Sequence, residues 1–143
     1  MLEQNDLNAI QKLLKSPKKI TIISHRNPDG DAMGSSLALL HFLKQLHHEV
    51  TFISPNEFPD FLAWLPGTNE VVIFEREFEK ASKILTTSDL IFTLDFNALH
   101  RTGDAMQKTL ETLEVPMIMI DHHQAPDAYP CLLYTSDAAD DLL

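Results

Sequence analysis

The sequence alternates short apolar runs with segments of helical periodicity, and this alternation limits the chain to few folds. The runs rich in β-branched and other apolar residues lie at 18–24, 49–54, 71–74, 89–94 and 116–120. Helical spacing of apolar residues lies between them, at 32–48, 75–88 and 103–114, and also in the first 16 residues. Strands that alternate with helices in this way predict an α/β fold, with a parallel sheet covered by helices on both faces. We expect a loop or short helix in the proline-rich segment 55–70.

Charge and composition narrow the possible partners. The formal net charge of the 143 residues is −10, whereas proteins that bind long nucleic acids are normally basic. We therefore expect no binding to long duplex nucleic acid, and any polyanionic substrate is expected to be short. No apolar run is long enough to cross a bilayer, the N-terminus lacks a secretory pattern, and Cys131 is the single cysteine. These features predict a cytoplasmic protein with no membrane contact.

Acidic and histidine residues follow three of the predicted strands at the points where those strands end. The first strand leads to His25, Asp29 and Asp31, the strand 89–94 leads to Asp95, and the strand 116–120 leads to Asp121, His122 and His123. Parallel strands bring their carboxyl ends to one edge of the sheet, which is where open α/β sheets bind ligands. We therefore expect these residues to converge.

Converging carboxylates raise one another's pKa or need a counter-charge, and divalent cations supply one. Oxygen donors with one or two imidazoles suit manganese better than zinc, with magnesium or iron as alternatives. Two metal ions about 3.5–4 Å apart are a standard arrangement for phosphoester hydrolysis. A phosphate is expected near Gly34 and Ser35 at the start of the following helix, and Arg101 is a further candidate for a phosphate contact.

Each feature also has an ordinary interpretation when taken alone. Asn27–Gly30 is a common turn sequence, Asp95 is a candidate helix cap, and Asp121–His123 is compatible with a solvated loop. We expect His41, His47 and His48 to be solvated, and we expect Phe61 and Trp64 to pack under the proline-rich loop.

Three segments together resemble the first three motifs of the DHH phosphoesterase superfamily. They are "HRNPDGDAMGS" (25–35), "LDFNALHR" (94–101) and "DHHQAPD" (121–127), and "LPGTNEVVIF" (65–74) resembles a linking segment of one of its groups. That group contains the bacterial oligoribonucleases and 3′-phosphoadenosine 5′-phosphate phosphatases (nanoRNases). The resemblance covers roughly residues 5 to 130 and implies a Rossmann-like DHH domain.

The resemblance also implies roles for individual residues. His25 and Asp29 would hold one Mn²⁺, and Asp31 and His122 would hold a second. Asp95 would bridge the two ions, Asp121 would orient a ligand, and His123 would face the scissile phosphate. The implied catalytic residues are thus Asp95, His122 and His123, and the implied substrates are short RNA oligonucleotides or 3′-phosphoadenosine 5′-phosphate.

The sequence departs from the family pattern in its last part. A fourth-motif aspartate and a C-terminal substrate-binding domain are not found, so we expect residues 1–130 to be an incomplete catalytic domain with low activity. We interpret the acidic segment 131–143, "CLLYTSDAADDLL", as foreign to the natural protein; the alternative is a short native helix capped by Ser136. A homodimer is also left open.

Competing functions remain at this point. A family II inorganic pyrophosphatase shares these motifs, whereas a non-catalytic nucleotide-binding module with a degenerate metal site belongs to another class. A receiver-like signalling domain would not explain the paired histidines.

Overall fold

The computed structural model describes residues 4–124 and 132–135, which form one six-stranded parallel sheet with four α-helices. The elements are α1 Gln4–Leu14, β1 Lys19–Ile23, α2 Gly30–Gln45, β2 Glu49–Ser54, β3 Val72–Ile73, α3 Phe78–Thr86, β4 Leu90–Leu94, α4 Asp104–Glu111, β5 Met117–Asp121 and β6 Leu132–Thr135. The strand order is β3-β2-β1-β4-β5-β6, and every neighbouring pair is parallel. The predicted fold class is confirmed.

Both faces of the sheet are buried, and successive residues of each strand point to opposite faces. Ile22 and Phe52 pack on the side of α1 and α2, whereas Ile23 and Ile53 pack on the side of α3 and α4. This double burial explains why the strands read as continuous apolar runs.

The order of the strands reverses between β1 and β4. The chain proceeds outward from β1 to β2 and β3, then returns to the other side of β1 and proceeds through β4 to β5. In register, Ile23 lies opposite Thr93, and Leu94 lies opposite Ile120. The carboxyl ends of β1, β4 and β5 are therefore neighbours, at the position where sheets of this kind form a ligand crevice.

The sixth strand lies in a segment where the sequence predicted no strand. Leu132–Thr135 pairs with β5, from Ile118↔Leu132 to Asp121↔Thr135. Residues 125–131 and 136–143 lie outside the described part of the chain, and so do Cys131 and Ser136. The interpretation of 131–143 as a foreign segment stays a prediction, since strand pairing does not reveal the origin of a sequence.

Two expectations about side chains are wrong. Phe61 and Trp64 do not pack under the loop but are 74% and 76% exposed. His48 is buried, and its Nδ1 accepts a hydrogen bond from the Lys18 N–H (3.1 Å), just before β1. Whether these side chains are buried or exposed depends on packing between distant elements, which local periodicity does not report.

Among the described residues, no helix combines the length and the apolar character that a membrane crossing requires.

Candidate metal centre

Asp95 lies at the centre of the candidate site, directly after β4. Its Oδ1 is 3.0 Å from His122 Nε2, and its Oδ2 is 3.5 Å from His25 Nε2. The Asp95 backbone has φ 64°, a left-handed conformation that aspartate tolerates better than most residues, and its N–H donates to the Ile120 carbonyl oxygen (3.0 Å). The short turn aims the carboxylate back between the ends of β1 and β5. It is not the cap of a regular helix, since the next 3₁₀ turn begins at Leu99.

His25 follows β1 and is almost fully buried. Its Nδ1 lies 2.8 Å from the Arg26 carbonyl oxygen, and since a carbonyl can only accept, Nδ1 carries the hydrogen. In the neutral ring Nε2 is therefore a bare acceptor that faces the Asp95 carboxylate. A hydrogen bond at one ring nitrogen that leaves the other free is the usual preparation of a histidine for metal binding.

Asp29 completes the first ligand group, which we define as His25, Asp29 and Asp95. Its Oδ1 accepts a hydrogen bond from the Ala32 N–H (3.0 Å) as the N-cap of α2, and the same atom is 3.8 Å from His25 Nε2. The helix cap thus fixes the carboxylate beside the imidazole. The turn interpretation of this segment and the metal interpretation are compatible, because one side chain does both.

The second ligand group, defined as Asp95, Asp121, His122 and His123, lies at the end of β5. The buried Asp121 carboxylate accepts hydrogen bonds from the His123 ring Nδ1 (2.6 Å) and from the His123 backbone N–H (3.0 Å). The His122 and His123 rings lie 4.6 Å apart. Asp121 therefore orients His123, while His122 points to Asp95.

In each ligand group the donor atoms lie within 4.8 Å of one another, and Asp95 belongs to both groups. The nearest guanidinium in sequence does not neutralise them, because the side chain of Arg26 pairs with Glu75. The arrangement therefore concentrates carboxylates and imidazoles around one shared carboxylate.

The pKa values of His25 and Asp95 reflect the close approach of these imidazoles and carboxylates. The hydrogen bond to Asp95 raises the pKa of His25 above its usual 6.5 against the opposing effect of burial, and the Arg26 carbonyl and the charges of Asp29 and Asp95 add to the rise. Burial acts to raise the pKa of Asp95, but the hydrogen bonds and charges of His25 and His122 together lower it below 3.8. Positive charge at this position is thus favoured in the metal-free protein.

A cavity of about 450 Å³ opens beside the cluster between α2, β4 and β5. Asp31, Gly34, Ser35, Asp95, Asp121 and His122 are among the residues that line it. Asp31 is exposed and belongs to neither ligand group, although it faces the same space.

Gly34 and Ser35 contribute to this cavity differently from the sequence expectation. Helix α2 begins at Gly30, so these residues are its fifth and sixth and lie beyond the N–H groups that a helix leaves unpaired. The Ser35 hydroxyl donates to the Asp31 carbonyl oxygen (2.7 Å), and the space over Gly34 is open, with no atom within 4 Å of where a Cβ would be. Any phosphate contact from backbone N–H groups would therefore come from the first turn, not from Gly34 or Ser35.

Arg101 is not among the described residues that line the cavity. Its carbonyl oxygen instead accepts a hydrogen bond from the Arg26 N–H (2.7 Å), which ties the segment after β1 to the segment after β4. Sequence reasoning also missed two contributions from the segment after β1: the Arg26 carbonyl and the side chain of Asn27, which pairs with Asn56. No local signal marks a backbone carbonyl, and the turn sequence 27–30, although evident in the sequence, does not indicate that Asn56 is the partner of Asn27.

The donor set fits a divalent cation. His25 Nε2, Asp29 Oδ1 and Asp95 Oδ2 are all acceptors when the imidazole is neutral, so only a proton or a bound cation between them removes the repulsion. Carboxylate oxygens with one or two imidazoles are typical ligands of manganese, magnesium or iron rather than of a structural zinc site.

The chain is similar in fold to several proteins of known structure. An exopolyphosphatase-related protein from Bacteroides fragilis is 41% identical, with a TM-score of 0.89 over 93% of this chain and 39% of its own length. Two less similar proteins share the fold. One is RecJ from Thermus thermophilus in complex with Mn²⁺, which is 20% identical with a TM-score of 0.50 over 92% of this chain and 16% of RecJ. The other is an α-glucosyltransferase in complex with UDP and DNA, which is 15% identical with a TM-score of 0.64 over 84% of this chain and 38% of its own length. This chain spans about two fifths of the length of the Bacteroides protein.

The family model for the DHH family, N-terminal domain, matches residues 19–139, which include every residue of both ligand groups. The chain therefore belongs to the DHH family, and the part of it that the match covers is the family's N-terminal domain.

Proposed function

We propose that this chain is the catalytic DHH domain of a metal-dependent phosphoesterase that acts on short oligoribonucleotides or on 3′-phosphoadenosine 5′-phosphate. The observation that carries the proposal is the position of Asp95, whose two oxygens face two separate groups of ligand atoms at the switch point of the sheet. A carboxylate shared in this way suits a pair of cations.

The proposed roles are those that the resemblance to the DHH superfamily implies. His25 and Asp29 would hold one Mn²⁺, Asp31 and His122 a second, and Asp95 both, although Asp31 lines the cavity without belonging to either ligand group. When bound, the ions would supply Lewis acidity toward a phosphoryl oxygen and would lower the pKa of a water nucleophile.

The remaining residues act on the substrate side of the site. Asp121 holds the His123 ring through Nδ1, so the free Nε2 of His123 is available to a phosphoryl oxygen or a leaving group. The cavity beside Gly34 leaves room for a phosphate next to the cluster. Arg101 is not among the described residues that line this cavity, and it has no role in the proposed mechanism.

The experiment begins with binding. Binding of Mn²⁺ to the metal-free chain is measured by the loss of the free-ion EPR signal, and we expect saturable binding that is strongly weakened in the D95N variant. Hydrolysis of a diribonucleotide and of 3′-phosphoadenosine 5′-phosphate is then measured with and without Mn²⁺. We expect turnover that depends on Mn²⁺. A chain that binds no Mn²⁺, or whose turnover is unaffected by D95N, would contradict the proposal.

A second candidate activity is hydrolysis of a phosphoanhydride. The observation that favours it is the 41% identity to a protein described as exopolyphosphatase-related. Including pyrophosphate and a short polyphosphate in the same assay separates the two, because the preferred substrate under equal Mn²⁺ identifies the bond that the site accepts.

A further inference from the structure

Asn56, in the loop after β2, is joined to the metal-ligand segment by a reciprocal pair of hydrogen bonds. The Asn27 N–H donates to Asn56 Oδ1 (2.7 Å), and Asn56 Nδ2 donates to Asn27 Oδ1 (2.7 Å). The orientation of the Asn56 amide is fixed by this geometry, because a backbone N–H only donates and must therefore meet the oxygen. We call this contact the Asn27–Asn56 amide pair.

Asn27 occupies the point where the segment between β1 and α2 reverses direction. It has φ 56°, a left-handed conformation, and it lies two residues after His25 and two before Asp29. His25 is held from β1 and Asp29 from the N-terminus of α2, so the conformation of Asn27 sets how closely the two ligands approach. The separation between His25 Nε2 and Asp29 Oδ1 is 3.8 Å.

Asn56 is itself held firmly by the sheet. The buried Ser54 hydroxyl donates to the Asn56 carbonyl oxygen (2.7 Å), and the Glu75 N–H donates to the Pro55 carbonyl oxygen (3.1 Å). The ends of β2 and β3 thus provide a fixed support from which the Asn56 amide reaches across to Asn27.

We propose that Asn56 is a positioning residue for the metal site: through Asn27 it holds His25 and Asp29 at the spacing that a shared cation requires. This inference rests on the proposed metal-binding function, although its structural part concerns the metal-free protein. Among the described residues, the side chain of Asn56 forms its hydrogen bonds with Asn27 and not with His25 or Asp29, so it would act through the conformation of the segment 25–29.

The test compares N56A, N27A, the double variant and N56D with the wild-type chain. Asn8→Ala is the matched control, because Asn8 is an asparagine on α1 that likewise accepts a hydrogen bond through its side-chain amide, from Gln4 (3.1 Å); Asn8 is exposed, whereas Asn56 is half-buried. Mn²⁺ affinity is measured by EPR at a temperature where every variant is folded. In the metal-free proteins, the imidazole ¹⁵N shifts of His25 and the amide hydrogen exchange of residues 25–31 are measured.

We expect N56A to weaken Mn²⁺ binding on the order of tenfold, the lower end of the effect of residues that orient metal ligands. N27A removes only the bond that Asn27 Oδ1 accepts, because the Asn27 backbone N–H still donates to Asn56 Oδ1; N56A should therefore cost less affinity in the N27A background than in the wild-type chain. N56D keeps an acceptor for the Asn27 N–H and should retain most of the affinity. The His25 ¹⁵N shifts and the exchange of residues 25–31 should change in N56A and not in N8A.

The proposal is overturned if N56A matches N8A in affinity and in the His25 spectra, or if the effects of N27A and N56A are additive. A loss of thermal stability alone, with unchanged affinity, would also overturn it, since it would show a structural role only. If the wild-type chain binds no Mn²⁺, the proposed function fails, and the metal-free spectra alone decide whether Asn56 positions His25.

Discussion

Replacement of Asp95 by asparagine is the most direct perturbation of the candidate metal centre. Asparagine keeps the size of the side chain, tolerates the left-handed backbone at φ 64°, and leaves the backbone bond to Ile120 intact. It removes the single charge that faces both His25 and His122. The substitution therefore tests the shared carboxylate without demanding a new backbone conformation.

The expected magnitude follows from the place of Asp95 in both ligand groups. Replacing a residue that only orients a ligand lowers metal affinity by about 10- to 100-fold. Replacing a shared ligand should therefore lower Mn²⁺ affinity by at least about 100-fold. This corresponds to about 2.8 kcal/mol. At a Mn²⁺ concentration 100 times the wild-type dissociation constant, ligand linkage stabilises the wild-type chain by about 2.7 kcal/mol and D95N by only about 0.4 kcal/mol.

Thermal unfolding in EDTA and in Mn²⁺ measures this difference. At roughly 3 °C per kcal/mol for a chain of this size, Mn²⁺ should raise the Tm of the wild-type chain by about 8 °C and that of D95N by about 1 °C. D89N is the matched control, since Asp89 bears the same charge but accepts from the Lys19 N–H at the opposite end of the sheet. Equal Mn²⁺ shifts in the wild-type chain and in D95N would refute the assignment of Asp95 as a shared ligand.

Further predictions concern the second ligand group, the loop against α2 and the dependence on pH. His122→Ala should lower Mn²⁺ affinity at least tenfold, because His122 faces Asp95. His123→Ala should leave the affinity within about twofold, because Asp121 holds the His123 ring. Equal losses of affinity for the two variants in an EPR titration would contradict these different roles. Gly67→Ala should destabilise the fold by about 1–2 kcal/mol in urea unfolding without changing Mn²⁺ affinity. The reason is that Gly67 has φ 97° and that a Cβ there would lie 3.2 Å from side-chain atoms of His41 and Leu37. An unchanged urea midpoint would contradict the left-handed turn. In the metal-free protein, the stabilisation that accompanies the raised pKa of His25 is fully present below pH 6.5 and is lost as pH rises through the pKa of the folded state. The stabilisation that accompanies the lowered pKa of Asp95 is present above pH 3.8 and is lost as pH falls through the pKa of the folded state. The difference in unfolding free energy between wild-type and D95N in EDTA should therefore be largest between pH 3.8 and 6.5, and a difference independent of pH would contradict the pairing.

The positions of the strands could be predicted from sequence because their apolar runs are buried on both faces and leave little alternative. The convergence of residues 25, 95 and 121–122 could be predicted for a related reason: each follows a parallel strand, and parallel strands end at one edge of the sheet. The prediction needed only the order of elements, not any side-chain contact.

Other features of the site depend on contacts between distant elements and could not be predicted in this way. The tautomer of His25 depends on the carbonyl of Arg26, and the conformation of Asn27 is supported from the loop after β2. The exposure of Trp64 depends on how the loop 55–70 lies against α2. Periodicity reports which face of an element is apolar, whereas these details depend on what that face meets.

The strand order explains why the ligands can be so far apart in sequence and still act together. His25 and Asp95 are 70 residues apart, yet they follow neighbouring strands in which Ile23 lies opposite Thr93. Asp95 and His122 follow the next pair, in which Leu94 lies opposite Ile120. Because β4 separates β1 from β5, the first ligand group needs β4 to pair with β1, and the second needs β4 to pair with β5. Cations held by the two groups would therefore stabilise the assembled sheet as well as their own ligands.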